Sequence, residues 1–181
     1  MTKMKVLEVP HPILREKAKE VQKVDARIVS LLDDMLETMY ASNGVGLAAN
    51  QVGLLERIVV IDCAREGEKP DPLQMVNPKI IAHSDEILCR NEGCLSVPRE
   101  YADVDRFAVV TVEYLDKEGK RKTRTADGLL GMAIQHELDH LDGILFIDYL
   151  SPLKRKKLLH HLEKRRKKEA KDVFKIALNS A

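Results

Sequence analysis

The sequence predicts an α+β fold, with small antiparallel or mixed sheets around a central helix and a further helix at the C-terminus. Two segments with apolar residues at helical spacing lie on either side of a strand-rich middle region. The strands of this region follow one another without intervening helices, unlike those of a βαβ fold. A third helical segment, rich in lysine and arginine, follows. The length of 181 residues is enough for one domain with its own core.

The first helix is predicted over residues 26–42, where Asp25 can cap the first turn and Gly44 lies just past the end. Its apolar residues recur at helical spacing: Ile28, Leu31, Leu32, Met35, Leu36 and Met39. Residues 44–53, GVGLAANQVG, contain too many small residues for an ordinary strand. The next segment, RIVVIDC at 57–63, is β-branched and predicts a buried strand.

Residues 73–90 alternate loosely, which predicts two short strands with a turn at Asn77-Pro78. Segments 107–116 and 120–126 flank a Lys-Glu-Gly turn and predict a β-hairpin. Asp127 is expected to cap a second helix, GLLGMAIQHELDHL, which ends at Gly143. The third helix is predicted over 152–170, with a narrow apolar stripe of Leu153, Leu158, Leu159 and Leu162.

Composition predicts a protein of the cytoplasm with no membrane partner. Apolar residues make up 44% and charged residues 33% of the chain, and no stretch approaches the roughly twenty apolar residues of a membrane helix. The first residues do not resemble a secretory signal. Three cysteines are an odd and sparse set for a disulfide-framed protein, so the reducing cytoplasm is the expected compartment.

Positive charge is concentrated near the C-terminus. Residues 154–175 contain eleven Lys/Arg and three Asp/Glu, a local charge of +8, so a net charge of +1 leaves −7 for the remainder. We therefore predict a catalytic body over 1–150 and a basic helix and tail over 151–181, packed on it or projecting from it. The tail is either solvated surface or an electrostatic anchor for nucleic-acid phosphate.

The strongest local motif is His136-Glu137-Leu138-Asp139-His140. Positions i and i+4 share one face of a helix, so both imidazoles can bind one ion, and Glu137 can act as a base for its water. Two histidines on a solvated helix face are the alternative. Cys94 in EGCLS is a candidate third ligand. The alternative is that Cys94 is a buried and unreactive thiol, as cysteines usually are.

Three protein ligands leave the fourth position of an ion free for water, as a hydrolytic metal requires. A divalent ion lowers the pKa of bound water towards ~7. Cysteine and histidine together suit zinc or ferrous iron, and these residue types do not decide between the two.

Three segments together resemble the peptide deformylases: GVGLAANQVG at 44–53, EGCLS at 92–96 and QHELDHLDG at 135–143. Similarity continues in HPILREKAKEV and ILFIDYLSPLKRKK, so it covers nearly the whole chain. The resemblance implies metal-dependent hydrolysis of the N-formyl group from the formylmethionine of nascent polypeptides, with release of formate. It also implies Fe2+ as the physiological ion, with Zn2+, Ni2+ or Co2+ as possible substitutes.

The family's site residues have counterparts here. The resemblance implies that the metal ligands are Cys94, His136 and His140, and that Glu137 is the general acid/base. It implies oxyanion donors in the Gln51 side chain and the Leu95 N–H. It implies substrate contacts by Val45, Gly46, Leu129, Met132 and Ala133, and charged groups behind the metal in Glu92, Arg106 and Asp139. Arg90 and Tyr101 depart from the family's pattern, which leaves peptide preference beyond the methionine open.

Other functions remain as alternatives. A metallopeptidase that cleaves internal peptide bonds could carry the same HExxH motif, but Cys94 as third ligand argues against it. A non-catalytic nucleic-acid binding protein would explain the basic tail and leave the three motifs unexplained. A degenerate, inactive relative is disfavoured because every catalytic position is filled. Because the implied substrate emerges from ribosomes, ribosomal RNA is the expected partner of the tail.

Overall fold

The computed structural model describes residues 3–64 and 67–179, without the side chains of 172–179, and contains seven strands and three α-helices in that part of the chain. The strands are β1 (Gly46–Ala48), β2 (Ile58–Ile61), β3 (Leu73–His83), β4 (Ile87–Cys94), β5 (Val97–Phe107), β6 (Val109–Leu115) and β7 (Arg121–Asp127). The helices are α1 (Ala26–Ala41), α2 (Gly128–Leu141) and α3 (Pro152–Asn179). Short 3-10 helices lie at Pro12–Arg15, Ala49–Val52 and Phe146–Tyr149.

The strands form two sheets, and every pairing between the named strands is antiparallel. One sheet has five strands in the order β1-β2-β3-β6-β7, and the other is the β4-β5 hairpin. Helix α2 packs on the five-stranded sheet and contacts β1, β2 and β7. The predicted α+β fold with small sheets around a central helix is therefore confirmed.

Strand β2 lies between two helices, which explains its unbroken apolar sequence. Val59 and Ile61 belong to the same core cluster as the apolar side of α2, while Ile58 and Val60 pack with the apolar face of α1. All four residues are buried because both faces of the strand are covered. The predicted first helix is confirmed to within one residue at its end, and Asp25 caps it by accepting from the Ile28 N–H at 3.0 Å.

The predicted turn at Asn77-Pro78 is wrong. Both residues lie inside β3, at a shift in register between Val76 and Lys79. Asn77 has a φ of +52°, and its side-chain amide bonds the N–H and the C=O of Val21, each at 2.8 Å. These side-chain bonds replace the ladder locally, so the strand continues through a bulge where the sequence suggested a break.

Three strand assignments also differ from the sequence prediction. The small residues Gly46–Ala48 do form a strand, β1, which is completely buried. Strand β4 extends to Cys94, four residues beyond the predicted segment. Strand β5 was not predicted, because its sequence VPREYADVDRF is largely polar and only Val97, Val104 and Arg106 are buried. A two-stranded sheet with one solvated side needs few apolar residues.

The helices after β7 differ in detail from the prediction. Asp127 occupies the capping position of α2, but its side chain makes no capping bond. Helix α3 continues to Asn179, beyond the predicted 170. Its buried stripe is narrower than expected, since Leu158 and Leu162 are buried while Leu153 is 79% and Leu159 39% exposed. None of the helices in the described residues is long and apolar enough to cross a membrane.

Candidate metal centre and active site

The three predicted metal ligands meet in space. His136 and His140 lie one turn apart on α2, and Cys94 ends β4 at the tight turn into β5. Their ligand atoms all lie within 4.8 Å of one another, and Cys94 Sγ is 3.1 Å from His140 Nε2. Ligands of a tetrahedral zinc or iron ion are spaced by about 3.5 Å. The donor set and its spacing therefore fit one divalent ion.

The two imidazoles have opposite protonation tendencies. Burial lowers the pKa of His140 well below its ordinary value, so this ring is neutral and can bind a cation. Burial acts in the same direction on His136, but hydrogen bonds with Cys94 and Glu92 outweigh it and raise the pKa of His136 well above the ordinary value. Ion binding would therefore displace a proton from His136.

A buried charge network supports His136. Glu92 Oε2 lies 2.8 Å from His136 Nδ1, which directs the other ring nitrogen towards Cys94 and His140. Arg106 binds Glu92 through two bonds of 2.6 and 3.0 Å and Asp139 through one of 2.6 Å. Burial acts to raise the pKa of Glu92, but its bonds from Arg106 and His136 outweigh it and lower that pKa. Such outer partners orient a metal ligand and fix its tautomer.

Tyr149 extends this network and was missed by the sequence analysis. Its hydroxyl donates to Asp139 Oδ2 at 2.8 Å, and its ring centroid lies 4.8 Å from the guanidinium carbon of Arg106. The segment ILFIDYLSP contained the residue, but helical or strand periodicity does not reveal a hydroxyl aimed at a distant carboxylate.

Replacing Arg106 with methionine should destabilise the protein strongly. The guanidinium is 5% exposed and the Glu92 carboxylate is fully buried, so Arg106→Met removes the arginine partner of a buried carboxylate and leaves it with the bond to His136. Loss of one partner of such a pair typically costs about 3–5 kcal/mol. Urea denaturation measures the free energy of unfolding.

The matched control for Arg106→Met is Arg27→Met. Arg27 pairs with Glu56 at 2.5 Å, but 62% of its side chain is exposed. Solvent screens such a pair, so its loss should leave the denaturation midpoint almost unchanged. Equal losses in the two variants would contradict the role assigned to the buried network.

Glu137 lies beside the candidate metal ligands in an enclosed position. It is 4% exposed, and no hydrogen bond to its Oε2 is found among the described residues. Burial raises the pKa of Glu137 to about 7, because desolvation disfavours the carboxylate. A β-carbon at Gly46 would overlap the Glu137 carboxylate, so a larger residue there would displace this carboxylate. The group can both accept and return a proton near neutral pH.

Gln51 is oriented by the backbone of its own segment. Its Oε1 accepts from the Ala48 N–H at 2.8 Å, so the amide nitrogen must point the other way. Nε2 lies 3.1 Å from Ser96 Oγ and 3.6 Å from Cys94 Sγ. The side chain is therefore a fixed donor at the candidate metal site, next to Leu95 in the turn between β4 and β5.

Asn50 and Ser96 are further site residues that the sequence analysis did not single out. Both are completely buried. Asn50 Nδ2 donates to the backbone carbonyl of His140 and ties the 3-10 helix Ala49–Val52 to the end of α2. Ser96 accepts from Gln51. Each is a polar residue inside one of the motifs quoted above. The spacing of residues within a motif does not show which group such a side chain will contact.

These groups open into a cleft of about 710 Å³. Val45, Gly46, Met132 and Ala133 line it, as do Gln51, Leu95 and the candidate metal ligands Cys94 and His136. Leu129, also expected in the pocket, is outside the cleft lining and 47% exposed. Of the two departures from the pattern, Tyr101 lines the cleft and Arg90 does not. Strand β1 is an edge strand, and on one side of it no other strand lies within the part of the chain that the structure describes.

The family model described as polypeptide deformylase matches residues 3–156. The chain belongs to the polypeptide deformylase family. A peptide deformylase of Agrobacterium fabrum is 51% identical over 155 residues, which cover 86% of this chain and 91% of that protein. Function follows from this membership: the chain is a hydrolase that removes the N-formyl group from nascent polypeptides.

Solved structures of deformylases have the same fold. The crystal structure of a peptide deformylase from Legionella pneumophila is 43% identical, with a TM-score of 0.87, and the match covers 93% of this chain and 98% of that one. The Ehrlichia chaffeensis deformylase in complex with actinonin is 40% identical, also with a TM-score of 0.87, and the match covers 91% and 98%. Deformylases are metal-dependent, and the Cys94, His136 and His140 cluster is the candidate metal site here.

Proposed function

We propose that this deformylase hydrolyses formylmethionine at an ion held by Cys94, His136 and His140, with Glu137 as the general acid/base. The supporting observation is that these three ligand atoms converge within 4.8 Å, directly beside a buried carboxyl whose pKa is about 7. An ion bound there would act as a Lewis acid and make water reactive at neutral pH.

Glu137 carries the proton in the proposed reaction. It takes a proton from the attacking water and returns it to the methionine nitrogen, because an amine leaves poorly as an anion. A carboxyl with a pKa near the working pH is suited to both steps. Formate and a free N-terminus result.

Gln51 and Leu95 are the proposed donors to the formyl oxygen as negative charge develops on it. Gln51 offers its Nε2, which is held towards Cys94 by the bond from the Ala48 N–H. Leu95 offers its backbone N–H, in the turn that follows Cys94. One such donor typically contributes about 3–4 kcal/mol to lowering the barrier.

The substrate backbone is proposed to pair with β1. This edge strand offers N–H and C=O groups, and Gly46 allows the peptide to approach Glu137 closely. Backbone pairing ignores side chains, which suits an enzyme that acts on many nascent proteins. We propose Val45, Met132 and Ala133 as the methionine pocket. Leu129 has weaker support because it lies outside the cleft lining.

Release of formate from formyl-Met-Ala-Ser tests this function. Protein loaded anaerobically with ferrous iron is expected to be active, and a chelator should remove the activity. Fe2+ is our proposal for the physiological ion, and parallel loading with Zn2+, Ni2+ or Co2+ would rank the alternatives. No formate release with any of these ions would contradict the proposal.

The metallopeptidase alternative is not favoured, since family and fold both match deformylases. Mass spectrometry distinguishes the two activities on one formylated peptide. A deformylase removes only the mass of the formyl group, whereas a peptidase produces internal fragments.

We further propose that 1–150 is the catalytic body and that the basic segment 151–181 contacts ribosomal RNA. In support, Lys164, Lys168 and Lys171 are exposed on one side of α3, and none has a carboxylate within 4.0 Å among the described side chains. We also propose a cytoplasmic location, which suits a protein with three free cysteines.

Charge reversal in α3 is expected to weaken ribosome binding. Lys164→Glu, Lys168→Glu and Lys171→Glu together should lower the affinity at least ~10-fold near 0.1 M salt, since phosphate contacts dominate such binding. Co-sedimentation with ribosomes over a salt series measures it. Deleting 154–181 is a poorer test, because it also removes the buried Leu158 and Leu162.

The same charge change elsewhere controls for net charge. Lys69→Glu, Lys117→Glu and Lys120→Glu alter exposed residues away from α3 and should leave ribosome binding unchanged. If both triple variants bind as well as the parent chain, the tail is solvated surface and the ribosome proposal is wrong.

A further inference from the structure

Tyr101 stands between the catalytic cleft and a second cavity. It lies opposite Gly93 in the β4-β5 pairing, and a β-carbon at Gly93 would be 2.5 Å from Tyr101 Cε1. The ring therefore covers the backbone just before Cys94, although 68% of Tyr101 is exposed. Tyr101 and Glu100 line the catalytic cleft and also a cavity of about 340 Å³. The Tyr101 ring therefore forms part of the boundary between the catalytic cleft and the second cavity.

The second cavity, here named the α3 cavity, lies between β5 and the first half of α3. Its helical wall presents Lys154, Lys157 and His161, whose spacing puts them on one face of the helix. Leu158 lines its floor and is buried. From residue 154 to residue 161 the helix rises by about 10 Å, the length of roughly three extended residues.

The helical wall carries two lysines that have no ion-pair partner among the described side chains. Neither Lys154 nor Lys157 has a carboxylate within 4.0 Å among the side chains that the structure describes, while Arg165 nearby is paired with Glu100. On the sheet side the cavity is lined by two carboxylates: Glu100, which is paired with Arg165, and Asp103, which accepts a hydrogen bond from the Asn91 amide and keeps its charge. The two lysines are therefore the groups in this cavity that a bound carboxylate would neutralise.

We propose that the α3 cavity is an extended substrate subsite, which binds the downstream segment of the same formylated polypeptide and favours acidic residues there. The inference rests on the proposed function, because a polypeptide held along β1 must leave the cleft across its rim. Tyr101 offers an apolar surface for the chain at that point, and Lys154 and Lys157 follow it. A cavity that binds RNA would not have to adjoin the catalytic cleft, whereas a cavity that binds the downstream part of the substrate must do so.

Peptides with a movable acidic pair test the subsite. Each begins formyl-Met-Ala-Ser and continues with a glycine-serine segment that carries two adjacent glutamates, placed progressively further from the methionine. A matched series carries glutamines. We expect kcat/KM for one or two glutamate registers to exceed the glutamine value by about 2- to 10-fold at low salt, through a lower KM. The difference should vanish at high salt.

Lys154→Ala with Lys157→Ala should abolish the glutamate preference in every register. The control, Lys117→Ala with Lys120→Ala, removes the same charge in the β6-β7 turn and should keep the preference. An equal kcat/KM for glutamate and glutamine peptides in the parent chain would overturn the proposal. The proposal would also be wrong if the variant with both Lys154→Ala and Lys157→Ala kept the preference for glutamate peptides and lost only its affinity for a short RNA. Failure to deformylate any peptide would instead contradict the proposed function.

Discussion

Replacing Glu137 with glutamine is expected to reduce turnover by about 10²- to 10⁴-fold, the usual contribution of a positioned general acid/base. Glutamine has nearly the same shape but cannot take a proton from water or return it to the methionine nitrogen. Glu137 is outside the ligand cluster, so the variant should still bind one metal ion per chain. Formate release and metal content of the same preparation measure both effects.

The stability of the Glu137→Gln variant to denaturant shows whether Glu137 has a chemical or a structural role. The carboxyl is buried, and no hydrogen bond to its Oε2 is found among the described residues. Glu137→Gln should therefore unfold at the same denaturant concentration as the parent or a higher one. Glu118→Gln, in the β6-β7 turn, is the control and should keep full turnover. A Glu137→Gln protein with the parental rate would show that another group moves the proton.

Replacing Cys94 with serine should remove the ion. A serine hydroxyl is not ionised at neutral pH, so the site loses its one anionic ligand, and the two imidazoles remain. Losing an outer partner of a ligand costs about 10- to 100-fold in metal affinity, and losing the ligand itself should cost more. Chelator competition measures the affinity, and formate release should fall with it.

Cys89→Ser is the control for this experiment. Cys89 is also on β4, but it is exposed and is not a member of the ligand cluster. Its variant should bind metal and release formate as the parent does. If Cys94→Ser retained parental metal affinity, the sulfur would not be a ligand, and the proposed ion site would have to be reassigned.

Local sequence patterns predicted the elements that are regular in composition. Helix α1 follows from its apolar spacing and from Asp25, and the β6-β7 hairpin follows from two β-prone runs around Gly119, which has a φ of +74°. Strand β5 could not be found in this way. Its backbone hydrogen bonds come from β4, and only three of its residues are buried, one of which is the charged Arg106.

The convergence of the candidate ligands was the most predictable part of the site. His136 and His140 are one helical turn apart, so their proximity is dictated by local geometry alone. The residues alone made Cys94 only a candidate third ligand, and the resemblance to a family made it the expected one, because no spacing rule connects residues that are more than forty positions apart. The support from Tyr149 and Asn50 was invisible, since each side chain reaches a group on another element.

The amino-acid sequence by itself determined which segments are helical, which helix carries the imidazoles and which chemistry these side chains can perform. Those properties depend on spacing and residue type within one segment. Only the tertiary structure decided that Cys94 meets that helix, that burial tunes Glu137 to a pKa of about 7, and that Tyr101 joins two cavities. Desolvation and contact between distant strands arise when the sheets pack around α2, and no local pattern encodes them.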